Sequence, residues 1–122
     1  MKFLSTNVLV ANVCLCVAGG HVCTGLVDIT GGHGDSMELT SSEARQSIMD
    51  GTMWDNLLGF HKNGYLLGCG SHAGKDSNVN TKGIVYGHAY SILDMVEGSD
   101  QYGTHRLLQL RNPHGKTEWT GK

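Results

Sequence analysis

Gly83-Ile84-Val85-Tyr86-Gly87-His88-Ala89-Tyr90-Ser91 is a β-prone run that delivers a histidine. Twenty-four positions after His88, the run Leu107-Leu108-Gln109-Leu110 delivers Asn112 in Arg111-Asn112-Pro113. Two such runs separated by a polar stretch read as neighbouring antiparallel strands, expected over residues 83–92 and 104–110. That pairing would set His88 and Asn112 facing one another on an open surface, at about 2.7–3.5 Å. The residue types matter as much as the spacing. A cysteine nucleophile needs an imidazole to take its proton and a third group to fix that imidazole's tautomer. An asparagine amide oxygen fills the third role without adding a charge.

Working outward, further blocks stand in a consistent order. Gly19-Gly20 precedes Gly25-Leu26-Val27-Asp28-Ile29-Thr30-Gly31-Gly32, and Trp54, Leu57 and Leu58 precede Lys62-Asn63-Gly64-Tyr65-Leu66-Leu67-Gly68-Cys69. Glu118-Trp119-Thr120-Gly121 follows the Asn112 block. Together with the His88 and Asn112 blocks, these resemble the second half of the calpain protease core, a papain-like cysteine protease family. Several blocks in register are more specific than any one motif. The resemblance implies an α+β fold: an antiparallel, β-rich half of a papain-like core with two helices packed on the sheet. It implies His88 and Asn112 as catalytic residues, a peptide bond in a protein substrate as the target, and calcium as cofactor with Glu118 as a metal ligand.

The chain also departs from that pattern. The family's catalytic cysteine lies in the preceding half-domain, whereas the cysteines here are Cys14, Cys16, Cys23 and Cys69, none in such a segment. Cys69 sits in the apolar run Leu66-Leu67-Gly68-Cys69, where burial would raise its pKa and make it inert. His114 stands where the family places a tryptophan over the His-Asn hydrogen bond. It is either a thinner, ionisable cover or an exposed loop residue touching nothing. Glu118 is the one carried-over calcium ligand, and one carboxylate does not make a seven-oxygen cage. Cys14, Cys16, His21 and Cys23 crowd four donors into ten residues, but a one-residue gap points extended neighbours to opposite faces, which disfavours zinc.

The middle of the chain reads as helices. Thr40-Ser41-Ser42-Glu43 is a capping-box pattern for a helix running to about Asp50. A second start lies at Thr52, with Met53, Trp54, Leu57, Leu58 and Phe60 at helical spacing and a stop at Asn63-Gly64. Trp54 is expected in the core. Residues 70–82 read as a loop that forms either a cleft rim or a solvated connection. Asp94, Glu97 and Asp100 read as a solvated turn between the two strands.

Composition narrows the partners. A net charge of -2 and a pI near 6.3 leave no basic stripe for nucleic acid. Residues 1–18 form an unassigned apolar segment, too short and too often interrupted by Ser5, Thr6, Asn7 and Asn12 to span a bilayer. Residues 19–122 are expected as a partial catalytic domain, truncated at its C-terminus. The family resemblance implies a cytoplasmic location and the irregular cysteine spacing forms no disulfide framework, while the faintly signal-like N-terminus keeps secretion as the alternative. Two functions follow. In one the chain is part of a calcium-dependent cysteine endopeptidase, inactive alone and completed by a Cys-bearing half-domain. In the other it is a non-catalytic, protease-derived binding or regulatory module.

Overall fold

The computed structural model describes residues 2–4, 20–71, 73–75, 77–115 and 119–120, the first three by their backbone. The chain divides into two compact units, Met1–Leu67 and Gly68–Lys122.

In the first unit, β1 (Lys2–Leu4) and β2 (Gly34–Ser36) pair antiparallel, Lys2 opposite Ser36. Against them lies α1 (Val22–Thr30). This third helix is one the sequence does not announce: Val22, Thr24, Val27, Ile29 and Thr30 are β-branched and Gly25 is flexible, all weak helix formers. Packing overrides propensity. The end of α1 is closed locally, where Gly31 N–H donates to Val27 O at 2.8 Å and Thr30 Oγ1 donates to Leu26 O at 2.7 Å.

The two expected helices are present. α2 (Ser42–Asp50) starts one residue later than the Thr40 pattern implies, because Ser41 Oγ accepts the Ala44 N–H at 3.1 Å. Such a cap contributes about 1 kcal/mol. α3 (Thr52–Lys62) follows after the single residue Gly51, whose φ of 87° makes the sharp change of direction. Gly51 has no side chain to cap α3, and Asp50 serves instead: its Oδ1 accepts from Thr52 N at 3.0 Å and Thr52 Oγ1 at 2.6 Å. Those bonds, the hydroxyl's first, hold the Asp50 carboxyl below its usual pKa. Ala44, Met53, Trp54 and Leu57 are buried and form the core of this unit. Each of the larger side chains contributes roughly 1.5–3 kcal/mol on full burial.

β3 (Leu66–Gly70) enters the second unit at Gly68, where the strand order is β3, β4 (Ala89–Asp100), β5 (Gly103–Arg111), with β4 and β5 antiparallel. The strand expected over 83–92 begins only at Ala89. Residues 80–87 turn instead, with one isolated bridge from Val79 to Val85. Gly83 (φ 85°) and Gly87 (φ 57°) take left-handed backbone that no regular ladder admits. The acids expected in a turn are also placed differently: Asp94 and Glu97 lie within β4, and Gln101-Tyr102 is the turn. Glu97 Oε2 accepts from Arg106 Nε across the strands at 2.9 Å, and Asp100 Oδ1 meets His105 Nε2 at 2.9 Å.

Buried residues of β4 are Tyr90, Ile92 and Met95, which breaks strict alternation. A bulge explains the break. Ile92 opposes Leu110 and Asp94 opposes Gln109, so Leu93 is an extra residue that turns the rest of the strand over. Val96 and Leu107, directly opposite one another, remain 51% and 61% exposed, so this face carries uncovered apolar surface. The α+β class expected from the sequence is thus the one observed, with three helices rather than two.

Candidate active site

His88 lies one residue before β4 and Asn112 one residue after β5. Because the strands are antiparallel, with Ser91 opposite Arg111, the start of one and the end of the other are neighbours. His88 Nε2 and Asn112 Oδ1 are 2.8 Å apart, inside the interval expected from the sequence. An amide oxygen only accepts, so Nε2 is the donor in this contact. The contact therefore occupies Nε2 and leaves Nδ1 as the ring nitrogen not engaged by Asn112.

His88 is not on an open wall: it is only 8% exposed. Two rings cover it edge-to-face. Tyr90 lies 4.9 Å away between centroids and His114 4.2 Å. His114 is exposed, yet it is no idle loop residue, since its N–H also donates to Asn112 Oδ1 at 2.9 Å. Asn112 Oδ1 thus receives two donors, which fixes the amide's orientation. Tyr90 ties this arrangement to the preceding turn, its hydroxyl oxygen accepting the Val85 N–H at 2.9 Å. Sequence reasoning missed Tyr90, although its place two residues after His88 in a β-prone run, and so on the same face, was a signal for it. Ser71, which bonds the His88 backbone at 2.9 Å, carries no such signal in the sequence.

Other expectations fall elsewhere. Glu118, Cys14 and Cys16 lie outside the described residues. Cys23 is a free thiol on α1, and Cys69 is free and half-buried in β3. Burial pushes the Cys69 thiol above its usual pKa. Among the described residues no three His, Cys, Asp or Glu side chains are grouped to hold a metal ion. Those residues alone do not fit a calcium cage. No helix among them is long and apolar enough to cross a membrane. An open concavity of about 530 Å³ in the first unit, lined by Met53, Leu57, Phe60, Tyr65 and others, contains neither His88 nor Asn112.

Known proteins match along this same stretch. Calpain-type cysteine protease DEK1 of Arabidopsis thaliana is 45% identical over 104 residues, 84% of this chain and 5% of that protein. Calpain-14 of Homo sapiens is 36% identical over 102 residues, 84% of this chain and 14% of that protein. Calpain-8 of Mus musculus is 32% identical over 108 residues, 86% of this chain and 14% of that protein. The chain therefore spans a small part of the length of these relatives. No solved structure matches. The family model described as calpain family cysteine protease covers residues 11–122, which takes in the second unit with the His88-Asn112 pair and the first unit from residue 11 on. On that match, the chain belongs to the calpain family of cysteine proteases.

Proposed function

We propose that this chain supplies the base half of a calcium-dependent cysteine endopeptidase. His88 is the general base and acid, Asn112 orients it, and the thiolate comes from a Cys-bearing half-domain. The observation that carries this reading is the 2.8 Å contact between His88 Nε2 and Asn112 Oδ1. With Nε2 held, Nδ1 takes the thiol proton as the sulfur attacks a peptide carbonyl. The imidazolium so formed then gives that proton to the departing amine. The neutral Asn112 oxygen stabilises the imidazolium by accepting its N–H. Calcium, which the family implies with Glu118 as one ligand, would act as a bound charge rather than as a reactant. The location is the cytoplasm, and the substrate is a protein.

The test is complementation. The chain is mixed with the Cys-bearing half of a calpain relative, and peptide release from an unfolded protein is measured with calcium present. The mixture is expected to cleave and the chain alone is not. His88→Ala should lower the mixture's rate by about 10²–10⁴-fold, and Asn112→Ala by less. Cleavage by the chain alone, abolished in His88→Ala, would place the nucleophile among its own cysteines. A mixture that assembles and stays inert would favour a non-catalytic binding or regulatory module.

A further inference from the structure

The backbone of His88 is held by one side chain seventeen residues upstream. Ser71 N–H donates to His88 O at 2.9 Å, continuing the strand pairing. The Ser71 hydroxyl then does two things: its Oγ accepts the His88 N–H at 2.9 Å and donates to His88 O at 3.2 Å. Both polar groups of the His88 peptide frame are therefore satisfied by Ser71. On the other side the backbone has no slack. A Cβ on Gly87 would run into the Gly74 carbonyl oxygen, and one on Gly74 would come within 2.7 Å of Tyr86 Cβ.

We propose that Ser71 is a positioning residue for His88: its hydroxyl fixes the peptide frame from which the imidazole reaches Asn112. The proposal rests on His88 being the base of the reading above, but its geometry does not depend on cleavage. The ring is aimed by two bonds from the Cα, so a small rotation of the His88 frame swings Nε2 away from Asn112 Oδ1. Ser71→Ala or Ser71→Val leaves the N–H of buried His88 without its acceptor, and the frame must move to find another. Thr keeps the hydroxyl on nearly the same shape as Val, so the Thr/Val pair separates hydroxyl from volume.

Nitrogen-15 NMR of the chain alone reads the outcome. In the unaltered protein and in Ser71→Thr, His88 should show a slowly exchanging Nε2–H resonance. In Ser71→Val that resonance should vanish, and His88 backbone amide exchange should rise about tenfold, the factor for losing one such hydrogen bond. The Val96 and Leu107 amides report whether the β4–β5 hairpin stays folded, and they should not change. An Nε2–H resonance in Ser71→Val matching that in Ser71→Thr would overturn the proposal. So would its loss in both variants, since the hydroxyl would then not be what matters. An inert mixture in the complementation assay with the Ser71 effect intact would sink the endopeptidase reading and leave this inference standing.

Discussion

At the scale of the residue, the site is defined by how few atoms hold it. Asn112 Oδ1 takes the His88 ring and the His114 N–H together, so two donors clamp one oxygen. Cys69 is the opposite case, a nucleophilic side chain that its surroundings keep quiet. Burial favours the neutral thiol, so its folded pKa is raised above the unfolded value. Its contribution to stability is therefore complete below the ordinary thiol range and is lost as pH rises through the folded pKa. Alkylation with iodoacetamide followed by peptide mass mapping should find Cys69 slow at pH 7 and markedly faster above pH 9. Rapid labelling of Cys69 at pH 7 would contradict that account.

At the scale of the element, the sequence was legible wherever a local signal agreed with the packing. Trp54 and Leu57 at helical spacing, with Asn63-Gly64 behind them, gave α3 its limits. The run before Asn112 gave β5 its extent to within a residue at each end. Where two signals competed, the reading slipped. Ile84-Val85-Tyr86 looks like strand by side chain, but Gly83 and Gly87 on either side turn it into a loop. The β-branched residues of α1 read against a helix that tertiary contact imposes. Neither the bulge at Leu93 nor the reach of Ser71 across seventeen residues leaves any local pattern. The Gly87 turn is a sharp test. Gly87→Ala adds a Cβ where φ is 57° and where the Gly74 carbonyl already lies. Thermal or urea unfolding should show a loss of about 1–3 kcal/mol, whereas Gly98→Ala, whose Cβ meets nothing within 4 Å, should cost far less.

At the scale of the whole molecule, the chain carries two compact units and a family match across both, while covering 5% to 14% of the relatives described. Calcium is the property for which that partial span matters most. With Glu118 the one acid carried over, titration calorimetry should show binding no tighter than about millimolar. Stoichiometric micromolar binding lost in Glu118→Gln would mean that acids such as Asp94 or Glu97 complete a site. The paired contacts between residues 71–74 and 86–88 have a different consequence, for how the chain tolerates change in length. They close the loop at its base, and Tyr86 N–H to Asn78 O at 2.9 Å closes it again further out. Between the two lies the exposed turn where Asn78 N–H donates to Lys75 O. Lengthening a flexible turn costs only about 0.6 kcal/mol per doubling. Two or three glycines or serines inserted after Ser77 should therefore leave the His88 Nε2–H resonance in place. Loss of that resonance would show the outer turn to be part of the histidine's support. If it persists, the stretch beside Ser77 is where descendants of this sequence can gain or lose residues, and so reshape what approaches His88, without resetting the pair beneath.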